Sequence, residues 1–452
     1  MISKYFNSYL RNLITGAAMK VPLINGEHVT AINFDNAATT PPFSAVMREI
    51  TNFAPWYSSI HRGKGYKSVV SSNLYEEGRE IVRNFVKADA ARDVVIFTKN
   101  TTESINMLAS ILCQEDQEQV ILCTDMEHLA NDLPWRAKFT VDYVGIDEYG
   151  QLSLGDLEAK LLKHAGKVKL VTVTGASNVT GYINPIHTIA ELAHQYGAKI
   201  HVDAAQLAPH AVIDMQPYES QEHLDYLTFS AHKMYAPFGI GVLIGPKATF
   251  EKTEPVYRGG GNARLVSRQL IEWSSSPAKD EAGTPNIIGV VALAAAIKTI
   301  NDVGMKVICE YEKEVIDYAL EGLKSIPGIT LYGQPEQEED RLSLISFNIQ
   351  GIYHKLLAEI LSYEAGIAVR NGFFCAHSYC AKLLNLSVQD LQYYHQNRDL
   401  PLPGMVRVSL GLYNNHHEVD ILIELLNRIA RNKDYYKHKY ENSYLNLASN
   451  SF

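Results

Sequence analysis

Apolar and polar positions recur at two different periods along the middle of the chain. The runs DVVIFT, QVILCTD, FTVDYVGI, KVKLVTVTG and KIHVDAAQ are short and rich in apolar residues, which predicts buried strands. Between them TTESINMLASIL, LGDLEAKLLKHA and PIHTIAELAHQYG carry apolar residues at helical spacing, and LANDLPWRAKF reads as a short helical piece. Such alternation predicts an α/β fold, a mostly parallel sheet covered on both faces by helices. The stretch Leu224–Gly245, LDYLTFSAHKMYAPFGIGVLIG, adds two buried strands around a polar turn that holds Ser230, His232 and Lys233.

The flanks follow other patterns. FDNAATTPP is a polar turn whose Pro41 and Pro42 start a helix at SAVMREITNF, SSIHRGKGYKS is a loop, and Ser72–Lys87 is an amphipathic helix. Beyond Gly245 the chain turns irregular through YRGGGNARLVS and DEAGTPN before a long helix near Ile287. From about Gly304, helices such as MKVICEYEKEVIDYALEGLKSI alternate with strands such as SLISFNIQ and MVRVSLG. The expected division is an N-terminal leader at 1–32 that packs with the small domain, a large domain at 33–303 and a small α+β domain at 304–452. The tail YYKHKYENSYLNLASNSF reads as a frayed or partner-bound end.

Composition narrows the function classes. With 452 residues the chain can bury two cores, and a net charge of −9 without long blocks of one sign argues against nucleic acid or an anionic membrane as partner. The longest apolar run, VVALAAAI at Val290–Ile297, falls far short of the roughly 20 residues that span a bilayer. MISKYFNSYLRNLITGAA lacks the continuous apolar core of a signal peptide, so the expected location is the cytoplasm. The five cysteines (Cys113, Cys123, Cys309, Cys375, Cys380) include no CxxC pair, which argues against a disulfide framework or a structural metal site. Cys113 and Cys123 sit in apolar runs, whereas Cys375 lies in a polar, glycine-containing stretch where a thiol can be reached.

Polar residues of complementary kinds fall at the strand ends, where open α/β sheets bind ligands. Thr101 and Thr102 begin the helix after DVVIFT, a place that suits phosphate, although N-capping explains one threonine equally well. His128 follows QVILCTD, Asn178 follows KVKLVTVTG, and Asp203 and Gln206 follow KIHV. A strand-end carboxylate needs a cation or several donors, and a pyridinium nitrogen is such a cation. Lys233 beside apolar walls would lose ammonium hydration, and its neutral amine would attack a carbonyl. Each residue also has a plainer role: Lys233 as a solvated loop lysine, His128 as a helix-start histidine, Asp203 as an N-cap. Together they describe a pyridoxal phosphate site on one sheet edge, with phosphate anchor, ring-stacking group, pyridinium carboxylate and Schiff-base lysine.

The motifs FDNAATT, IHRGKG, TKNTTESIN, MEHLANDLPW, GASNVTGYINPI, HVDAAQLAPH, DYLTFSAHKMYAPFGIGVLIG, EAGTPN, VRNGFFCAHSYC and VRVSLGLYNNHHEVD run in order over nearly the whole chain. They resemble the class V aminotransferase family of fold-type I pyridoxal phosphate enzymes, and within it the cysteine desulfurases and selenocysteine lyases. The resemblance implies a large domain on a mostly parallel seven-stranded-type sheet, a small domain carrying a catalytic-cysteine loop, and a homodimer. It implies Lys233 as the Schiff-base lysine, Asp203 at the ring nitrogen, Gln206 at the phenolic oxygen and His128 stacked on the ring as a catalytic group. Thr101, Thr102, Ser230 and His232 would bind phosphate, joined by Thr284 from the second subunit. Asn178 would lie near cofactor and substrate, with Asn36, Arg370 and Arg407 holding the substrate and Arg407 clamping its carboxylate. Cys375 matches the sulfur-accepting nucleophile, with Arg370 favouring its thiolate. The implied activity converts L-cysteine to L-alanine, passing sulfur to a persulfide on Cys375 and on to a sulfur-acceptor protein; no metal is implied.

There are departures from the pattern. Phe373 and Phe374 stand where sulfur-mobilising desulfurases tend to carry histidine, and with Cys380 nearby the pattern resembles the desulfurase-like domain of molybdenum cofactor sulfurases. Asn100 stands where glycine is usual, and asparagine tolerates left-handed dihedrals. The connection from Cys375 to Arg407 is longer than usual and reads as a lid or a docking surface. Cys380 is open to three roles: persulfide acceptor, partner of Cys375, or packed thiol. The alternative functions are a class V aminotransferase or carbon–sulfur lyase (or selenocysteine lyase) acting on another amino acid, and a catalytically silent scaffold that binds the cofactor. Intact Lys233, Asp203 and Arg407 weigh against the scaffold.

Overall fold

In the computed structural model, which describes residues 4–114, 119–333 and 341–447, the apolar runs become seven strands of one sheet. They are β1 (Asp93–Thr98), β2 (Val120–Thr124), β3 (Thr140–Val144), β4 (Val168–Thr174), β5 (Lys199–Asp203), β6 (Tyr226–Ser230) and β7 (Gly241–Pro246). Their order is β1-β7-β6-β5-β4-β2-β3. Strands β2 to β6 pair in parallel, each reached by a connection long enough to carry the chain back to the same edge; the helices Leu154–Lys163 and Ile186–Gln195 supply two of these crossovers, and the irregular link 204–225 supplies the one between β5 and β6. The ten residues 231–240 are too short a link for such a crossover, so β7 runs antiparallel to β6, and it is antiparallel to β1 as well. Every residue of β1, β2 and β6 is buried, as continuous apolar runs require when helices cover both faces. Ile105, Leu108 and Leu112 of the helix Thr101–Cys113 pack with Ile96, Ile121, Leu170 and Leu243 in this core.

This sheet belongs to the larger of two compact units, Thr39–Ser177 with Ile183–Val307; the smaller comprises Met1–Ala38, Asn178–Tyr182 and Ile308–Phe452. The smaller unit holds an antiparallel sheet of β8 (Ile329–Tyr332), β9 (Leu344–Ile349), β10 (Arg370–Gly372) and β11 (Met405–Ser409), in the order β8-β9-β11-β10. Ile32–Asn33 pairs in parallel with Ile367–Ala368, and Asp35 bridges to Ser409. The five-residue strap Asn178–Tyr182 is stitched to the same sheet. Leu342 N donates to Gly181 O at 2.8 Å, and Arg341 Nη2 donates to Thr180 O at 2.6 Å. Gly181 has φ +81°, and a Cβ there would lie 2.9 Å from Leu342 O, so only glycine fits.

Several local expectations are revised. The helix expected at Ser72–Lys87 spans Tyr66–Phe85, since Gly65 rather than Ser72 precedes its first turn. The leader carries a helix, Lys4–Asn12, and a hairpin of Lys20–Pro22 with His28–Thr30. The tyrosine-rich tail is helical over Lys433–Leu447, and Lys439 and Tyr440 both bond Glu364; residues 448–452 lie outside the described residues. Asn100 is not left-handed. At φ −171° it is an extended N-cap whose side chain accepts from Glu103 N at 3.0 Å. No single described helix is long and apolar enough to cross a membrane.

The larger unit also contains a buried ion pair. Arg79 Nη1 lies 2.8 Å from Glu281 Oε1, both side chains being 4 % exposed, and the carboxylate also accepts from Phe97 N at 2.7 Å and Tyr75 OH at 2.9 Å. Truncating Glu281 to alanine strands the guanidinium, an amide and a hydroxyl together. The expected loss is about 3–5 kcal/mol, read as a lower urea midpoint in far-ultraviolet circular dichroism.

Candidate active site

The turn after β6 presents Lys233 in a short helical turn, Ala231–Lys233. Thr39 and Thr40 hold it: Thr40 N and Thr39 Oγ1 each donate to His232 O at 3.0 Å, and Thr40 Oγ1 accepts from Tyr235 N at 2.7 Å. Tyr235 follows with φ +62°, a left-handed conformation costly for an aromatic residue, and its ring stacks on Phe43 at 4.4 Å. These contacts fix the backbone on both sides of the lysine. Burial, and then the neighbouring Lys233 ammonium, depress the His232 pKa to about 4, so the imidazole is neutral at pH 7.

The sheet edge brings together most of the expected cofactor groups. Thr101 N and Thr101 Oγ1 lie 2.7 and 2.6 Å from Ser230 Oγ, joining the start of the helix Thr101–Cys113 to the end of β6. A Cβ on Gly241 would come within 2.5 Å of the Asn100 backbone, so glycine allows this close approach. Asp203 ends β5, buried, with Oδ1 accepting from Ala205 N at 3.0 Å; burial raises its pKa while Lys233 pulls it down. Such a carboxylate is stabilised by a cationic nitrogen, and a helix start beside two hydroxyls suits a phosphate, so these residues fit pyridoxal phosphate. Gln206 is buried, His128 is half-buried, and Thr102 and Thr284 are exposed, Thr284 just ahead of the helix Ile287–Val303.

In the smaller unit a loop displays Cys375. Phe374 and Cys375 are consecutive left-handed residues, with φ +50° and +55°, and Ala376 N closes the turn on Phe373 O at 2.9 Å. Two anchors oppose this strain. Asn178 Nδ2 donates to Phe374 O at 2.7 Å, and the Arg407 guanidinium lies over the Phe374 ring at 5.0 Å. The result is an exposed Cys375 above a buried Phe374. Cys380 is fully buried, its Sγ 3.2 Å from Phe373 O, and burial pushes its thiol pKa far up.

Arg407 is 2 % exposed and bonds Asn178 O at 2.7 Å and Asp35 Oδ1 at 3.3 Å, while its Nε has no partner among the described residues. Burial, with repulsion from Arg370, lowers its pKa to about 10 despite the pull of Asp35. It remains cationic at neutral pH, and its orphan donor suits an oxyanion. Arg370 Nη2 is engaged with Asp35 Oδ2 at 3.0 Å. Asn36 spends its amide inside the unit, donating to Asn33 O, Ser409 O and Asn414 Oδ1 and accepting from Tyr413 OH. The residue pattern did not single out Asp35, Thr39, Thr40 or Glu127. The carboxylate argument applied to Asp203 finds Glu127 too, since it follows the apolar run VILC by only a few residues.

A family model described as aminotransferase class-V matches residues 32–422. The chain belongs to the class-V aminotransferase family. A probable cysteine desulfurase of Halalkalibacterium halodurans is 35 % identical over 425 residues, covering 92 % of this chain and 96 % of its own. The apo cysteine desulfurase of Thermococcus onnurineus NA1 is similar in fold, with a TM-score of 0.79 at 31 % identity over 89 % of this chain and 95 % of that one. A cysteine desulfurase of Escherichia coli, in an S-sulfonic acid form, gives a TM-score of 0.75 at 28 % identity over 88 % and 94 %. The expected α/β fold and family are thereby borne out.

For this class-V aminotransferase the exposures predict thiol selectivity. Brief treatment with iodoacetamide should alkylate Cys375 in the native protein and leave the buried Cys123 and Cys380 unmodified until denaturant is added, as peptide mass spectrometry would show.

Proposed function

We propose that this chain is a pyridoxal phosphate-dependent cysteine desulfurase that takes sulfur from L-cysteine onto Cys375 and releases L-alanine. The observation that carries the reading is the display of Cys375, an exposed thiol on two successive left-handed residues anchored by Asn178 and Arg407. A packed thiol needs no such strained presentation, and a transaminase needs no thiol. The Halalkalibacterium halodurans relative is described as a probable cysteine desulfurase and both solved structures are of cysteine desulfurases, which supports the same reading.

Bound pyridoxal phosphate supplies an electron sink for the carbanion left when the substrate loses its Cα proton. Lys233 is proposed to hold the cofactor covalently at rest and to move that proton. Asp203 would keep the ring nitrogen protonated, Gln206 would bond the phenolic oxygen, and His128 would lie against the ring. Thr101, Thr102, Ser230 and the neutral His232 would bind the phosphate, with Thr284 contributed by the second subunit of a homodimer. Arg407 binds the substrate carboxylate, with Arg370 and Asn178 supporting it and Asn36 bracing Ser409 and Asn414. The Cys375 thiolate attacks the substrate sulfur, and the Cβ–S bond breaks with its electron pair on carbon. A proton delivered to Cβ and the return of a proton to Cα by Lys233 yield alanine, and the outer sulfur of the Cys375 persulfide passes to an acceptor thiol.

Incubating the protein with L-cysteine and a reductant should give alanine and sulfide in equal amounts. Cys375→Ala should lower sulfide release at least about 100-fold while retaining the cofactor's visible absorbance. Undiminished sulfide from that variant would sink the persulfide assignment. Arg407→Lys should lower kcat/KM for cysteine by about 10- to 100-fold, because an ammonium cannot reproduce the guanidinium fork.

A further inference from the structure

The larger unit holds a chain of buried polar side chains that the proposed chemistry does not use. It crosses three neighbouring strands and the turn beyond the next: Thr228 on β6, His201 on β5, Thr172 on β4, and Asn131 and Glu127 in the turn after β2. Thr228, His201, Thr172 and Asn131 are all 0 % exposed and Glu127 is 4 % exposed, so each unmade bond would carry a desolvation cost.

Donor chemistry fixes the direction of every link. Trp135 Nε1 can only donate, and it does so to Asn131 Oδ1 at 3.0 Å, so the amide group of Asn131 must face Glu127 Oε2, 2.6 Å away. Thr172 Oγ1 donates to the same Asn131 Oδ1 at 2.8 Å and therefore accepts from His201 Nδ1 at 2.8 Å. His201 is neutral, its pKa depressed to about 3 by burial, so its Nε2 accepts from Thr228 Oγ1 at 3.0 Å. All donors point toward Glu127, the terminal acceptor, which also receives Thr174 N at 2.8 Å and the Thr124 hydroxyl.

The two ends of this chain lie where the cofactor residues are. Thr228 is the register partner of Asp203, and its carbonyl accepts from Ala204 N at 2.8 Å. At the other end Glu127 and Asn131 bracket His128, whose carbonyl accepts from Asn131 N at 2.8 Å and whose Nδ1 accepts from Ala130 N at 3.0 Å. The bond between Glu127 and Asn131 thus closes the turn that carries the imidazole.

We propose that Glu127 is a positioning residue, the terminal acceptor of an oriented hydrogen-bond relay that sets His128 against the strand end bearing Asp203. The proposal rests on the pyridoxal phosphate reading above. Glutamine at 127 cannot replace the carboxyl group. Its amide nitrogen must face either the amide of Asn131 or the backbone N–H of Thr174, and both are donors that cannot turn away.

The test uses full-length wild type, Glu127→Gln and Thr172→Val, stripped of cofactor and titrated with pyridoxal phosphate. Affinity is read from fluorescence quenching and ring orientation from the visible circular dichroism of the saturated protein. Both variants should bind at least about tenfold more weakly, with a reduced or reshaped visible signal at saturation, while far-ultraviolet circular dichroism stays that of wild type. The valine variant removes one hydroxyl from the neighbouring strand without changing side-chain shape and touches neither Glu127 nor His128 directly, so it decides the matter if the glutamine variant fails to fold. A Thr172→Val protein with wild-type affinity and visible signal overturns the relay. A wild-type chain that takes up no pyridoxal phosphate overturns the cofactor reading and this proposal together.

Discussion

Asp203 ends a strand of the central sheet with its carboxyl group buried and raised in pKa by desolvation, and Lys233 pulls against that shift. A buried carboxylate in such a place is stable only with compensation, and the groups around it are arranged accordingly. Thr39 and Thr40 grip the backbone beside Lys233, a left-handed Tyr235 is held by Phe43, and Thr101 ties the phosphate-suited helix start to Ser230. Each of these contacts costs conformational freedom or strain that a sheet needing only stability would avoid.

The smaller unit meets a different demand, that of keeping one thiol in water while everything beside it is buried. Two successive left-handed residues turn Cys375 outward, and Phe374 is pinned inward by Asn178 and Arg407. Arg407 in turn depends on Asp35, whose carboxylate also holds Arg370. Presentation of the thiol and retention of a buried guanidinium are therefore one construction, and removing either anchor should disturb both.

Legibility in the sequence varied with the range of the interaction. Apolar runs such as DVVIFT and VILC disclosed strands because burial on both faces leaves no polar position to misread. The strand-end residues Lys233, Asp203 and Thr101 were legible for the same reason, as polar groups abruptly following apolar runs. Asp35, Thr39 and Thr40 were not, because they sit in the polar turn FDNAATTPP, where polar residues carry no contrast. The tolerance of asparagine for left-handed dihedrals left the conformation of Asn100 open. The helix beginning at Thr101 recruited it as an extended cap instead.

By itself the order of residues determined the elements, the largely parallel sheet and the family, since hydrophobic period and short motifs are local properties of the chain. The polar stretch around Cys375 marked it as a thiol that can be reached, but only tertiary structure decided that Cys380, five residues on, is buried, because that difference comes from two backbone dihedrals and the anchors that hold them. It alone decided that Thr228, His201, Thr172, Asn131 and Glu127 form one oriented chain, for these residues come from separate strands and a turn and meet only when the sheet sets their register. Burial then makes each of their bonds obligatory, and burial is a property of the fold.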